Sequence, residues 1–110
     1  MHEATIILPM YYNNHERIAG HTFDTILASL VDLWGGVTHH TASGMFRNAA
    51  GRVQHETVMV INIAFSDTPI NRSVIRGIAR NFAVDHDQES VYVRWPDGQV
   101  QFITRNSELV

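Results

Sequence analysis

The alternation of apolar and polar positions predicts three strands and one helix in the first 65 residues. Ala4 to Tyr12 is apolar and β-prone, which predicts a first strand, and Val37 to Phe46 and Val53 to Phe65 are expected to be strands two and three. A first helix lies between strands one and two, with Thr22 as its expected N-cap and Gly35-Gly36 as its stop. Its apolar residues repeat at helical spacing: Phe23, Ile26, Leu27, Leu30, Val31 and Trp34.

A second helix and two short strands are predicted in the rest of the chain. Ser66-Asp67-Thr68 offers an N-cap and Pro69 suits the first helical position. The apolar stripe of this helix consists of Val74, Ile75, Ile78, Ala79 and Phe82. Ser90 to Trp95 is expected to be strand four, and the turn signal Pro96-Asp97-Gly98 leads into strand five, Gln99 to Ile103.

The resulting order, β-α-β-β-α-β plus a C-terminal strand, predicts an α+β fold of the ferredoxin-like, split βαβ type, with residues 1–110 forming a single domain. Both helices would then cover one face of the sheet. Strand three is apolar at both alternations, since Val58 and Val60 cannot share a face with Met59, Ile61, Ile63 and Phe65. We therefore expect a homo-oligomer that covers the second face.

Composition and charge exclude several classes of function. The net charge is −3, with only 8 Lys and Arg and no basic run, which argues against nucleic acid as a partner. The absence of Cys excludes disulfides, thiolate metal sites and a cysteine nucleophile. The start of the chain has neither a basic region nor a long apolar one, so we expect a cytoplasmic protein that does not enter a membrane.

The seven histidines do not have the spacing of a metal site. His39 and His40 are adjacent on a strand and point to opposite faces. Four others lie in or near loops: His2, His15, His21 and His86. Only His55 could meet one of that pair across the hairpin between strands two and three. We expect neither a metal nor a cofactor, and placed-nucleophile and phosphate-cradle motifs are also missing from the sequence.

One carboxylate, Glu56, precedes the apolar run of strand three. The polar turn at residues 48–51 predicts a β-hairpin that brings Phe46 and Arg47 close to it. A carboxylate is costly to bury there without a partner or a task. Glu56 is thus either a strand-end glutamate paired with Arg47 or Arg52, or an anionic anchor or base in a cleft.

Two further segments are candidates for ligand binding. Gln88 and Glu89 precede strand four, which runs beside strand one in a ferredoxin-like sheet. We therefore expect them within reach of the cleft of the same or a neighbouring subunit; as an alternative they belong to a solvated loop. Tyr11 and Tyr12 end strand one and suit stacking on a purine or attraction of a cation, or form an ordinary strand end.

Four spaced features of the sequence together resemble the small phage enzymes that degrade S-adenosylmethionine, once called hydrolases and now lyases. They are the run Gly44-Met45-Phe46-Arg47, Glu56 ten positions after Phe46, Ile78-Ala79-Arg80-Asn81, and Gln88 to Val93. The resemblance spans roughly residues 35–93. The segments FRNAAGRVQHE and DQESV are also similar to a family of small bacterial proteins, often exported, with G-x-W-R, G-R-V-x-x-E and Q-E-S-V signatures, although this chain has Phe46 in place of the Trp.

The lyase resemblance implies a PII-like homo-oligomer, a trimer, that binds S-adenosylmethionine as its small-molecule substrate between subunits. The implied products are methylthioadenosine and homoserine lactone, formed without a cofactor or metal, in the host cytoplasm if the chain is phage-encoded. Glu56 matches the family's active-site glutamate and would hold the methionyl group. The implied site consists of catalytic Glu56 with six substrate-binding residues: Phe46, Arg47, Tyr11, Tyr12, Gln88 and Glu89.

The family's essential tyrosine has no tyrosine at the corresponding place in this sequence. Phe46 occupies that neighbourhood without a hydroxyl, and Tyr11, Tyr12 and Tyr92 are the candidates to replace it. Two alternatives to the lyase stay open from the sequence: a non-catalytic PII-like module that binds a small metabolite or nucleotide, and a structural oligomer in which Glu56 is a rim salt bridge.

Overall fold

The computed structural model describes residues 1–108, which form a five-stranded antiparallel sheet and two helices. In chain order the elements are β1 (His2–Pro9), α1 (Gly20–Trp34), β2 (Val37–Arg47), β3 (Val53–Phe65), α2 (Pro69–Asp85), β4 (Val91–Arg94) and β5 (Val100–Ile103). The strand order across the sheet is β2-β3-β1-β4-β5. This arrangement confirms the predicted ferredoxin-like split βαβ fold with an added C-terminal strand.

Both helices pack on one face of the sheet, where alternate strand residues supply the core. Residues Ile61, Ile63 and Phe65 of β3 are fully buried on this face. The two helices meet each other through Phe23 and Phe82, whose ring centroids are 6.0 Å apart. The period of two along β3 therefore places its other alternation, which includes Glu56, on the face without helices.

The first helix begins three residues earlier than the apolar pattern indicates, and the predicted Thr22 N-cap is wrong. Ala19 is the N-cap residue and makes no side-chain cap hydrogen bond. The Thr22 amide donates to the Ala19 carbonyl at 3.0 Å, which places Thr22 inside the first turn. The helix stops as predicted at Gly35, which adopts φ 92°, the left-handed conformation that favours glycine.

The second helix has the predicted cap. Thr68 is its N-cap, with Pro69 at the first helical position, and the Thr68 Oγ1 accepts a hydrogen bond from the Asn71 amide at 3.1 Å. Farther along, the guanidinium groups of Arg72 and Arg76 lie 4.9 and 4.8 Å from the Trp95 ring centroid. These contacts attach α2 to the turn between β4 and β5.

The β2–β3 hairpin is longer than its neighbours and extends past the end of β1. The ladder between β1 and β3 ends at the pair Pro9–Val58, whereas β2 and β3 stay paired as far as Arg47 and Val53. We call residues 43–57 the hairpin arm. Within residues 1–108, no helix is long and apolar enough to cross a membrane.

The cap of α2 gives a stability prediction. Thr68→Ala removes the acceptor for the Asn71 amide and should lower the free energy of unfolding by about 1 kcal/mol in urea titrations. Ser66→Ala is the matched control, because no side-chain hydrogen bond of Ser66 is found among residues 1–108. Equal losses in the two variants would contradict the capping role.

Candidate functional site

A groove of about 620 Å³ lies on the helix-free face, between the hairpin arm and the β4–β5 hairpin. Strand pairing positions its functional side chains, since Glu56 lies opposite Gly44 and Gln54 lies opposite Phe46. Five of the residues predicted from the sequence line this groove: Phe46, Arg47, Glu56, Gln88 and Glu89. The structure thus brings together residues from β2, β3 and the loop before β4.

Glu56 is a partly buried carboxylate that forms no ion pair with any residue of the described range 1–108. Desolvation by burial raises the pKa of Glu56 above its ordinary value. No ion pair of Glu56 with Arg47 or Arg52 forms among the described residues, and the Arg47 Nη1 instead donates to the Gly51 carbonyl at 2.6 Å. The interpretation of Glu56 as one half of a strand-end salt bridge is therefore wrong.

The floor of the groove beside Glu56 is apolar. Val58 and Val60 follow Glu56 at the same alternation of β3, and Ile7 of β1 pairs directly with Val60. Val58 is 7% exposed, so little water reaches this part of the floor. A charge on Glu56 beside this floor is partly desolvated, so a cation bound next to it would be attracted more strongly than at an open surface.

Hydrogen bonds connect the loop after β1 to the α2–β4 loop beside the groove. The Tyr12 hydroxyl and the His86 Nδ1 are 3.1 Å apart, and the Asn13 Nδ2 donates to the Asp87 carbonyl at 3.0 Å. Asp87 adopts φ 49°, a left-handed conformation that aspartate tolerates better than most residues other than glycine. The α2–β4 loop is thus fixed against the end of β1, although 74 residues of sequence separate the bonded pairs.

The predicted substrate-binding residues Tyr11 and Tyr12 lie outside this groove, which we call the main groove. Tyr11 and Tyr12 line a second groove of about 470 Å³, which shares Asn13, Gln54 and Glu56 with the first. The Tyr12 hydroxyl is already bonded to His86, whereas Tyr11 is 38% exposed. Glu56 therefore lies at the boundary between a groove lined by Phe46 and one lined by the tyrosines.

Phe102 lines the main groove and was missed by the sequence reasoning, and Tyr92 was named only as a possible replacement for the missing tyrosine. The two residues pair directly across β4 and β5, and their rings make an edge contact with centroids 5.9 Å apart. Tyr92 also pairs with Ile7 of β1. The alternation of β4 could have placed Tyr92 on this face, but only with the strand order known.

The histidines that could have met across the hairpin are separated along it. His39 pairs with Ile61, whereas His55 pairs with Met45. Among residues 1–108, no group of three or more His, Asp or Glu side chains is placed to hold a metal ion.

Two solved structures share this fold. A phage SAM lyase in complex with S-methyl-5'-thioadenosine is similar with a TM-score of 0.75 at 15% sequence identity, over 96% of this chain and 92% of that chain. A phage SAM lyase in the apo state is similar with a TM-score of 0.73 at 15% identity, over 96% of this chain and 90% of that chain. The likeness to phage SAM lyases expected from the sequence is confirmed at the level of the fold.

Sequence comparison gives the family. No curated protein matches the sequence of this chain. The family described as "Protein of unknown function (DUF3574)" matches residues 3–102, which is most of the chain. The chain is therefore a member of the DUF3574 family.

Proposed function

We propose that this protein binds S-adenosylmethionine in the groove beside Glu56 and cleaves it to methylthioadenosine and homoserine lactone. The observation that carries the proposal is the unpaired, partly buried Glu56 carboxylate at the edge of an apolar groove. The likeness in fold to phage SAM lyases, one of them in complex with S-methyl-5'-thioadenosine, supports it.

The reaction needs no nucleophile from the protein. A carboxylate oxygen of the substrate attacks the γ-carbon of its own methionyl chain, and a C–O bond forms as the bond between that carbon and sulfur breaks. The electron pair of the broken bond stays on sulfur, which leaves as a neutral thioether. No proton is transferred, so the protein has to fold the methionyl chain into a reactive conformer and exclude water.

We assign to Glu56 the binding of the α-ammonium group of the substrate. Burial removes part of the hydration of the Glu56 carboxylate and raises its pKa. A bound cation stabilises the charged carboxylate because it replaces that lost hydration. Carboxylate and sulfonium lose their charges as they react, so the apolar floor at Val58 and Val60 favours the transition state over the charged substrate. Phe46, 43% exposed in the same groove, offers an aromatic face to the sulfonium.

We further propose that a second copy of the chain closes the groove, as part of a homo-oligomer. Apolar side chains on the helix-free face support this proposal, because Phe102 is 62% exposed and Phe46 is 43% exposed. They lie on opposite sides of the groove, so a partner that covers both would also exclude water from the bound substrate.

Turnover of S-adenosylmethionine tests the main proposal directly. Purified protein incubated with S-adenosylmethionine should release methylthioadenosine and homoserine lactone, detected by mass spectrometry. Homoserine in place of its lactone, in the first seconds of reaction, would indicate attack by water. Stabilisation by S-adenosylmethionine in thermal unfolding with no product at high protein concentration would favour the non-catalytic binding module instead.

Replacement of Glu56 separates function from stability. Glu56→Gln should lower kcat/KM by about 100-fold or more, because a neutral amide attracts the ammonium far less than a carboxylate does. Glu3→Gln is the matched control, since Glu3 is an exposed glutamate that pairs with Ala64 at the far end of β3. Full activity of Glu56→Gln would rule out the assigned role.

The same variant should not be less stable than the wild type at pH 7. Because the folded-state pKa of Glu56 is raised, the folded state binds the proton more tightly than the unfolded state does. This stabilisation is present at low pH and is lost as the pH rises through the raised pKa. The neutral amide in Glu56→Gln avoids that loss, so its Tm at pH 7 should equal or exceed that of the wild type, and a lower Tm would indicate a structural ion pair.

Light scattering coupled to gel filtration tests the oligomer. The trimer predicts a mass of about three times the 12.4 kDa of one chain. A monomer that still turns over S-adenosylmethionine would contradict the closure of the groove by a second copy.

A further inference from the structure

Gln88 is the only buried polar side chain among residues 1–108, with 4% of its surface exposed. It lies in the loop between α2 and β4 and lines the main groove. An amide buried to this extent loses its hydration and has to recover it through hydrogen bonds. The hydrogen-bond partners of its amide nitrogen and oxygen therefore show whether either atom is left for a ligand.

Among the described residues, the Gln88 side chain makes two hydrogen bonds, both to backbone carbonyls. Its Nε2 donates to the His86 carbonyl at 3.0 Å and to the Tyr11 carbonyl at 3.4 Å. Carbonyl oxygens only accept hydrogen bonds, so the amide nitrogen must face them and the amide oxygen must point away. The orientation of the side chain is thus fixed by the backbone around it.

The Gln88 Oε1 remains free to accept a hydrogen bond. No donor to it is found among the described residues, and none of their side-chain nitrogen or oxygen atoms is both fully buried and unpaired. This oxygen therefore keeps a small exposed surface. Gln88 lines the main groove and not the second one, so the main groove is the one from which a ligand would approach this side chain.

Gln88 and Glu56 lie on opposite sides of the end of β1. The Met10 amide donates to the Thr57 carbonyl at 3.0 Å, which continues the β1–β3 pairing toward Glu56, while Gln88 contacts Tyr11 from the β4 side. Two strand spacings, roughly 10 Å, separate the backbones of the two residues. A ligand that reaches both must be extended, with a donor group near each end.

The two ends of the groove differ in chemistry. The β3 end holds the Glu56 carboxylate, which suits a cation. The β4 end holds the neutral Gln88 acceptor together with the aromatic pair Tyr92 and Phe102, of which Phe102 is 62% exposed. Exposed aromatic faces next to a neutral acceptor suit a flat heterocycle with an amino group.

We infer that Gln88 is a specificity-determining residue whose Oε1 accepts a hydrogen bond from the exocyclic amino group of adenine, at the end of the groove opposite Glu56. The inference rests on the proposed function, since it places the adenosyl end of the same substrate. A nucleoside with a carbonyl at that position of the purine would bring two acceptors together and be rejected.

The test compares methylthioadenosine, which carries the exocyclic amino group, with methylthioinosine, which carries a carbonyl at that position. Both lack the ammonium group that Glu56 would bind. Titration calorimetry on the wild-type protein should give an affinity about tenfold lower for methylthioinosine, as expected when an N–H donor is replaced by an acceptor. Equal affinities, or no binding of either nucleoside, would overturn the inference. Continued cleavage of S-adenosylmethionine in that case would leave the proposed function standing.

Two variants test whether Gln88 causes the preference for methylthioadenosine over methylthioinosine. Gln88→Leu should bring the ratio of the two affinities close to one, whereas Gln54→Leu, which replaces an exposed amide in the same groove, should keep the wild-type ratio. Circular dichroism checks that Gln88→Leu still folds, and the comparison on the wild type stands without this variant. An unchanged ratio in folded Gln88→Leu would overturn the role of Gln88.

Discussion

The register of β3 is the constraint on which the rest of the structure depends. This 13-residue strand pairs with β1 on one side and β2 on the other, and its alternation sends Ile61, Ile63 and Phe65 into the core beneath the helices. A slip of one residue would turn that whole set toward solvent and carry Glu56 to the opposite face. Core packing therefore fixes the face of the carboxylate, although Glu56 itself takes no part in the core.

The length of the same strand determines where the groove lies. Because the ladder between β1 and β3 ends at the pair Pro9–Val58, the first residues of β3, from Val53 to Glu56, are paired on one side only, with β2. The hairpin arm consequently stands beyond the end of β1 and forms one wall, and the β4–β5 hairpin forms the other. Glu56 lies just past the end of the β1–β3 ladder, where a carboxylate is partly desolvated and still accessible to a ligand.

Most elements of the fold could be predicted from the sequence because their signals are local. The period of two along β3, the Thr68-Pro69 start of α2 and the glycine at the end of α1 each depend on neighbouring residues. The start of α1 was predicted wrongly because Ala19 caps it with its backbone alone, and a backbone cap leaves no mark in the residue type. A polar residue such as Thr22 then becomes the nearest, but incorrect, candidate.

The site was harder to predict, because its parts meet only through the strand order. The hairpin that joins Phe46 to Glu56 is local and could be read from the turn between them. The bond between Tyr12 and His86 spans 74 residues, and the pairing of Tyr92 with both Ile7 and Phe102 requires β1, β4 and β5 to be neighbours. Local patterns identified the carboxylate and left the opposite wall of the groove incomplete.

Hydrogen bonds hold the α2–β4 loop in place beside the groove, and this bears on the proposed chemistry. An intramolecular attack requires one folded conformer of a flexible chain, and a wall that moved with the ligand would not select it. Here the α2–β4 loop is bonded to the end of β1 through Tyr12, Asn13 and Gln88. These hydrogen bonds form within the protein and leave the Gln88 Oε1 free, so a substrate meets the groove with this acceptor already in place and with little reorganisation left to perform.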